Sequence, residues 1–301
     1  MMYTAYEIIL TNDCNLSCRY CYEHGQVDRG LSMTSGIRAQ TIDYIVTTHD
    51  TTAAVIQIQF FGGEPTICFV EMQEMIAALE ERLPGKCVYG ITTNATLLTR
   101  TQIEYLAQKK INTLVSLDGG KLVHEPERGI GTFELLMSRL AMLRALAVPL
   151  ELRMTVTPRT ISQFMDSFWF VARMGVPFRW VLDTSEEYPV AALEDFVVQV
   201  REIYKYPHQD KTLESIRARI SNKLYCIDPE KTISIAPDGT HRYCSAVLTA
   251  PKSRSEQCST CISLPICQGG CLGAHPPNDK FCKVMHVLNV IYHEHVLKGL
   301  L

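Results

Sequence analysis

Short apolar runs alternate with longer segments of helical period along the first part of the chain. The short runs are rich in β-branched residues, which favours strands, whereas the longer segments repeat apolar residues every three or four positions, which favours helices. Strands are predicted at residues 3–10, 54–61, 87–93, 113–117, 150–156 and 178–182. Helices are predicted between them at residues 35–48, 70–83, 99–109, 133–145 and 161–174. This alternation is typical of βα units and a parallel sheet.

Six βα units are fewer than the eight of a complete barrel, which needs about 250 residues. The predicted fold class is therefore α/β, with a partial (β/α)6 barrel over residues 1–188. A helical bridge is predicted over residues 189–222, and a small cysteine-rich domain over residues 223–301. In that last domain the turn Pro237-Asp238-Gly239 predicts a β-hairpin, and an apolar segment predicts a C-terminal helix.

The composition fits a globular protein without a nucleic-acid or membrane partner. The chain has 301 residues, of which 47% are hydrophobic, and its net charge is -3 with no long basic run. Nothing in this charge pattern favours binding to nucleic acid or to an anionic membrane. The N-terminus lacks the charged start and long apolar run of a signal peptide, so a cytoplasmic location is expected.

Cysteine use is high, with twelve in the chain, and ten of them form two groups. Such grouping in a reducing compartment favours metal binding over disulfides. The first group is Cys14, Cys18 and Cys21, which must share one tight loop after the first predicted strand. Thiolates select zinc or an iron–sulfur cluster, and a structural zinc normally takes four protein ligands. Three ligands therefore fit a [4Fe-4S] cluster with one open iron better than they fit zinc or a metal-free loop.

The spacing C-x3-C-x2-C, with Tyr20 before the last cysteine, resembles the signature of the radical S-adenosylmethionine (SAM) superfamily. That signature is C-x3-C-x-Φ-C with an aromatic Φ. The resemblance implies a partial barrel in which the open iron chelates the amino and carboxylate groups of SAM. It also implies that one electron cleaves SAM to methionine and a 5′-deoxyadenosyl radical.

Two further segments of that family follow the second and third predicted strands. Gly62-Gly63-Glu64 resembles the GGE motif, which is implied to bind the SAM amino group, and its glycines allow a close backbone approach. Residues 92–98 resemble the TNGxLL segment, in which Asn94 is implied to lie near the SAM ribose. Ala95 stands where that segment usually has glycine.

The fourth predicted strand leads into a block similar to the SxDG…H…R…G segment of the peptide-modifying branch. The resemblance implies that Ser116 and Arg128 contact the SAM carboxylate. A hydroxyl and a guanidinium are suitable donors to a carboxylate. His124, in the same block, is expected to be structural.

The second cysteine group lies near the C-terminus. Its members are Cys226, Cys244, Cys258, Cys261, Cys267, Cys271 and Cys282. Their spacing resembles the SPASM domain, which implies two auxiliary [4Fe-4S] clusters and so three clusters in all. It further implies that one cluster is held by Cys258, Cys261, Cys267 and Cys282, and the other by Cys226, Cys244 and Cys271. The fourth iron of the second cluster is either open or bound by another ligand such as Asp228. A zinc module is the alternative, because C-x2-C is also zinc spacing.

These resemblances predict an enzyme that acts on a precursor peptide or protein and installs a C–S or C–C crosslink or another oxidation. A separate leader-binding protein, or the barrel surface, would recognise the leader, because the cysteine loop begins near the N-terminus. A flavodoxin or ferredoxin is the expected electron donor. Anaerobic sulfatase-maturing enzymes have aspartate after the cysteine equivalent to Cys244, whereas this chain has Ser245, which favours crosslinking.

Two other functions stay open at this stage. A peptide epimerase would need a hydrogen-atom donor thiol, for which Cys68 is the candidate, although the default role of Cys68 is a small buried apolar residue. A non-enzymatic electron-transfer protein would need the clusters alone. The GGE motif and the Ser116 block argue against that class, since an electron carrier has no use for a SAM pocket.

Overall fold

The computed structural model describes residues 2–21, 29–183, 186, 188–205 and 231–242. The seven C-terminal cysteines, Asp228, Ser245 and the predicted C-terminal helix lie outside the described residues. The domain bounds given above stay predictions. Within the described residues, no helix has the length and apolar content that crossing a membrane requires.

Strands and helices alternate along most of the described chain. The strands are β1 Ala5–Ile9, β2 Ile56–Phe61, β3 Cys87–Thr93, β4 Asn112–Ser116, β5 Leu150–Val156, β6 Phe178–Leu182, β7 Thr232–Ile235 and β8 His241–Arg242. The helices are α1 Ser35–Thr48, α2 Phe69–Arg82, α3 Arg100–Gln108, α4 Lys121–Arg128, α5 Thr132–Ala145, α6 Phe164–Ala172 and α7 Val190–Lys205. The predicted α/β class is confirmed.

The six predicted strands are all present, each within two residues of its expected bounds. Helix α3 begins with a capping box, because Thr99 accepts from the Gln102 N–H and the Gln102 side chain accepts from the Thr99 N–H. Helix α4 was not predicted. It contains Pro126, which cannot donate a backbone hydrogen bond and breaks the usual helical signal.

The described residues form two compact units. The first contains residues 2–116, 128–151 and 231–242 within the described ranges, and its strands lie in the order β4-β3-β2-β1-β7-β8. All neighbours in this order are parallel except β7 and β8. Along β2 the alternate residues Ile56, Ile58 and Phe60 are buried, which is the core side of the strand.

The predicted hairpin around Gly239 is confirmed, and its first strand joins the sheet beside β1. Ala5 lies opposite Thr232, and the Ser234 hydroxyl donates to the buried Glu7 carboxylate at 2.6 Å. Gly239 has φ of 83°, the left-handed region that this turn requires. The hairpin is therefore tied to the first strand by both backbone and side-chain hydrogen bonds.

The second unit contains residues 117–127 and 152–205 within the described ranges. Its strands β5 and β6 are parallel, with Leu152 opposite Phe178. Its core is aromatic, with the rings of Phe164, Trp180 and Phe196 within 5.4 Å of one another in edge-to-face arrangements. Such ring pairs add to the free energy gained by burying the apolar area itself.

Candidate functional site

The three N-terminal cysteines follow directly after β1, as the sequence predicts. Cys14, Cys18 and Cys21 are all half-buried, and the Cys21 N–H donates to the Cys18 carbonyl at 3.0 Å. Burial is the main cause that raises the pKa of Cys14 to about 11, and the nearby Glu64, Cys18 and Cys21 act in the same direction. The three thiols are therefore close enough for their charges to interact, and each remains partly accessible to solvent.

The donor set fits an iron–sulfur cluster better than a single ion. Among the described residues, no three Cys, His, Asp or Glu side chains converge on one metal ion. In a [4Fe-4S] cluster each cysteine binds a different iron, so the three sulfur atoms stand further apart than the ligands of one ion. Three half-buried thiols on one loop are a donor set that suits such a cluster.

The glycine pair after β2 lies against the backbone that leads into the cysteine loop. The Gly63 N–H donates to the Thr11 carbonyl at 2.9 Å, and the Glu64 N–H donates to the Asp13 carbonyl at 2.7 Å. A Cβ atom at Gly63 would lie 2.3 Å from the Asp13 oxygen, and one at Gly62 would lie 2.3 Å from the Thr11 oxygen. Only glycine allows this approach, so the motif positions the residues immediately before Cys14.

The Glu64 carboxylate joins the ends of β2 and β3. Its Oε1 accepts from the N–H of Thr66 at 3.1 Å and from the hydroxyls of Thr66 and Thr93, each at 2.6 Å. Its Oε2 accepts from the Asn94 N–H at 2.7 Å. The residue is only 1% exposed, and burial raises the pKa of its carboxyl although these donors oppose the shift. The structure thus gives Glu64 a positioning role, while SAM binding by the GGE motif stays a prediction.

The turn after β3 contacts the cysteine loop through Asn94. Its Nδ2 donates to Asn15 Oδ1 at 3.0 Å and lies 3.9 Å from Cys14 Sγ, while Asn15 Nδ2 donates to Thr96 Oγ1 at 2.8 Å. Sequence reasoning placed Asn94 near the SAM ribose and missed this contact. The amide of Asn15, between the first two cysteines, was the available signal. Ala95 has φ of 61°, which explains why glycine would be usual here.

Tyr20 and Arg128 meet beside the second cysteine. The Arg128 guanidinium carbon lies 5.3 Å from the centroid of the Tyr20 ring, a cation–π distance, and Arg128 Nη1 lies 4.0 Å from Cys18 Sγ. Arg128 is only 7% exposed. Ser116 is half-buried at the end of β4. Contacts from Ser116 and Arg128 to the SAM carboxylate stay predictions.

Two residues of the same sequence block have internal partners in the second unit. The Asp118 carboxylate accepts from the Thr155 N–H at 3.0 Å, and the Asp118 N–H donates to His124 Nδ1 at 3.4 Å. Both residues are 1% exposed. This arrangement agrees with the structural role expected for His124.

Cys68 lies in the short 3-10 turn Pro65–Cys68 after the glycine motif. Its side chain is buried, and its Sγ lies 3.9 Å from the Ser32 hydroxyl. Burial raises the pKa of the thiol. A role as hydrogen-atom donor stays a prediction, and burial fits the simpler role of a small apolar residue.

A model of the radical SAM superfamily matches residues 8–170 of the chain. Among curated proteins, GTP 3',8-cyclase of Rhodococcus opacus is 30% identical over 193 residues, which cover 62% of this chain and 51% of the cyclase. A cysteine-type anaerobic sulfatase-maturating enzyme of Clostridium perfringens is 27% identical over 159 residues, which cover 50% of this chain and 43% of that enzyme. The matched segments therefore span about half or less of these two relatives.

Solved structures share the fold. The enzyme anSMEcpe with bound AdoMet and Cp18Cys peptide superposes with a TM-score of 0.77 at 17% identity, over 98% of this chain and 97% of that chain. Streptococcus suis SuiB bound to the precursor peptide SuiA superposes with a TM-score of 0.63 at 17% identity, over 90% of this chain and 72% of SuiB. Identities this low establish a common fold and leave the reaction to be argued from the site.

Proposed function

The chain belongs to the radical SAM superfamily, and from that premise we propose that it removes a hydrogen atom from a side chain of a ribosomal peptide or protein. Cys14, Cys18 and Cys21 would hold a [4Fe-4S] cluster and leave one iron for SAM. When bound, the cluster and SAM supply a 5′-deoxyadenosyl radical, which is the hydrogen-abstracting species of this family. The difficult chemistry thus belongs to the cofactors, and the protein supplies their position.

The observation that carries this proposal is the set of direct hydrogen bonds that joins three motifs. The GGE backbone is bonded to the residues before Cys14, and the Glu64 carboxylate is bonded to the turn after β3. That turn is bonded back to the cysteine loop through Asn15. Three segments distant in sequence therefore fix one another around the thiols, which is the preorganisation that a reactive centre requires.

The remaining predicted residues would act on SAM from the edges of this centre. Arg128 lies over the Tyr20 ring and near Cys18, which supports the proposal that its guanidinium would neutralise the SAM carboxylate. Ser116, at the end of β4, would add a hydroxyl donor. Gly62 and Gly63 would let the SAM amino group approach the backbone closely.

A peptide substrate is supported by the fold. Both solved structures named above are complexes with peptides, and this chain superposes on nearly all of one of them. We propose a C–S or C–C crosslink as the product, with the seven C-terminal cysteines holding two auxiliary clusters that accept the electron left after bond formation. A leader-binding protein and a flavodoxin or ferredoxin are the proposed partners.

Oxidation of a protein side chain, as in sulfatase maturation, is the second candidate. The sequence likeness to the sulfatase-maturating enzyme and the superposition on anSMEcpe favour it. Ser245, where the sulfatase-maturing family has aspartate, argues against it. The two candidates differ in product, so mass spectrometry separates them.

The test is co-expression of the chain with a short cysteine- or aromatic-rich peptide encoded beside its gene. A crosslinking enzyme removes two hydrogen atoms from the peptide and leaves a ring that resists fragmentation, whereas oxidation of a single side chain leaves a linear peptide that fragments normally. An epimerase leaves the mass unchanged in ordinary water and incorporates deuterium when the reaction is run in D2O. The Cys18→Ala variant is the control and is expected to leave the peptide unmodified. Unmodified peptide with the intact enzyme, when SAM is nevertheless cleaved, would reject this substrate class.

The auxiliary clusters have a separate test. Three [4Fe-4S] clusters require about twelve irons per chain, and one cluster requires about four. Iron analysis of the reconstituted chain is expected to give the larger number. A value near four would remove the auxiliary pair from the proposal.

A further inference from the structure

The side-chain amide of Asn94 reaches the cysteine loop from a different part of the chain. Its Nδ2 lies 3.9 Å from Cys14 Sγ, within the reach of an N–H···S hydrogen bond, because sulfur is larger than oxygen. Asn94 is 8% exposed and Cys14 is half-buried, so the amide approaches the sulfur from the protein side of the contact. The sequence motifs do not account for the contact.

The orientation of the Asn94 amide is fixed by its other partners. Its Oδ1 accepts from the Thr96 N–H at 2.9 Å and from the Thr96 hydroxyl at 2.6 Å. Exchanging the oxygen and nitrogen would place the amide N–H against the Thr96 N–H and the amide oxygen against Asn15 Oδ1. The amide nitrogen must therefore be the atom that faces Cys14.

A closed cycle of three side chains holds this orientation. Asn94 Nδ2 donates to Asn15 Oδ1, Asn15 Nδ2 donates to Thr96 Oγ1, and Thr96 Oγ1 donates to Asn94 Oδ1. Each hydroxyl and amide in the cycle has a partner on both sides, so rotating any one of them breaks two hydrogen bonds. The cycle links the cysteine loop to the turn after β3 and leaves the second Asn94 N–H directed at the sulfur.

We propose that Asn94 is a positioning residue that directs an N–H group at the Cys14 sulfur and thereby raises the reduction potential of the cluster. The positive end of the amide dipole stabilises the extra negative charge of the reduced state, and hydrogen bonds to sulfur are one of the means by which proteins set cluster potentials. The Leu16 N–H, at 3.4 Å from Cys14 Sγ, acts in the same sense from the backbone. This inference rests on the proposed function, because it requires the cluster.

The test compares reduction potentials of the full-length chain after cluster reconstitution. Asn94→Ala removes the N–H group, and Asn94→Asp replaces it with a carboxylate of the same shape. The potential is measured without SAM by electron paramagnetic resonance at fixed applied potentials, so that any effect on SAM binding is excluded. The resonance that disappears in Cys14→Ala identifies the cluster concerned.

We expect the ratio of reduced to oxidised cluster at a given applied potential to fall about tenfold in Asn94→Ala. This corresponds to a reduction potential that is lower by ~59 mV for one electron. The fall in Asn94→Asp is expected to be larger, because its carboxylate adds negative charge. The matched control is Asn112→Ala at the start of β4, where the amide donates to the Tyr89 carbonyl at 3.4 Å. That variant is expected to keep the wild-type potential.

The outcomes separate this inference from the proposed function. An unchanged potential in Asn94→Ala with its cluster intact overturns the inference alone, whereas a wild-type chain that assembles no cluster overturns both. If Asn94→Ala holds no cluster, the contact is tested in the wild-type chain instead, by pulsed electron paramagnetic resonance with 15N in the asparagine side chains. A 15N coupling to the reduced cluster supports the contact, and its absence overturns it.

Discussion

Substitution of Gly63 by alanine should displace the cysteine loop while leaving the rest of the sheet intact. The added Cβ would lie 2.3 Å from the Asp13 carbonyl oxygen, 2.6 Å from its carbon and 2.7 Å from the Asn12 oxygen. These are backbone atoms, which cannot rotate away as a flexible side chain does. Gly63 does not have positive φ, so the effect of alanine here is steric and not torsional.

The size of the effect follows from these distances. Ordinary contact begins near 3.4 Å, so the backbone at Asp13 must retreat by about 1 Å. Crowding of this kind typically costs about 1 to 3 kcal/mol of unfolding free energy. The hydrogen bond from the Glu64 N–H to the same Asp13 oxygen would be stretched, at a further cost of about 1 kcal/mol. A displacement of about 1 Å can lower the rate of a positioned reaction about 100-fold.

The assay measures three properties of the anaerobically reconstituted chain. Thermal unfolding should show a folded protein with a lowered midpoint, and iron analysis should show partial loss of the N-terminal cluster. The yield of 5′-deoxyadenosine per assembled cluster should fall about 100-fold in Gly63→Ala. The matched control is Gly36→Ala, where the nearest atom to an added Cβ is Thr34 Oγ1 at 3.9 Å and where alanine favours helix α1.

Gly36→Ala is expected to keep both SAM cleavage and iron content and to unfold no earlier than wild type. If Gly63→Ala matched Gly36→Ala in iron content and SAM cleavage, the close backbone approach would have no part in positioning the cysteine loop. The positioning role assigned to the glycine motif would then be withdrawn.

Three further substitutions test single contacts. Glu64→Gln offers only one acceptor oxygen, so a buried N–H of Thr66 or Asn94 loses its partner, and urea unfolding should show about 1 to 3 kcal/mol less stability. An unchanged midpoint would contradict the positioning role of Glu64. Thr99→Ala removes the capping box of α3 and should cost about 0.5 to 2 kcal/mol in the same assay, whereas no loss would show that the box contributes nothing. Burial lowers the pKa of His241 in the folded chain. As pH decreases, the imidazole therefore binds a proton in the unfolded chain before it does so in the folded chain, and the free energy of unfolding should fall below about pH 6.5. His241→Gln should reduce this pH dependence of stability. If the variant and wild type showed the same dependence, His241 would not be its source.

The sequence predicted the features that depend on local signals. Strand β3 and helix α1 have the expected bounds because hydrophobic period and capping act over a few residues. The polar motifs at the ends of β1 and β2 were placed correctly because parallel strands bring their carboxyl ends to one edge. The loop position of Cys14 followed from the same rule.

Features that depend on contacts between distant segments were not predictable in this way. The pairing of β7 with β1 joins residues far apart in the chain, and the hydrogen bonds of Asn94 to Asn15 depend on how two turns pack. Helix α4 was not predicted because Pro126 within it has a very low helix propensity. These features depend on tertiary packing, which overrides the local signal.

The most direct test of the central claim is reductive cleavage of SAM by the reconstituted chain. The anaerobic protein is incubated with dithionite and SAM, and 5′-deoxyadenosine is quantified by liquid chromatography. Wild type is expected to form it, and the Cys18→Ala variant is expected to form none. Absence of 5′-deoxyadenosine from wild type, with the N-terminal cluster demonstrably assembled, would contradict the assignment of this site to SAM chemistry.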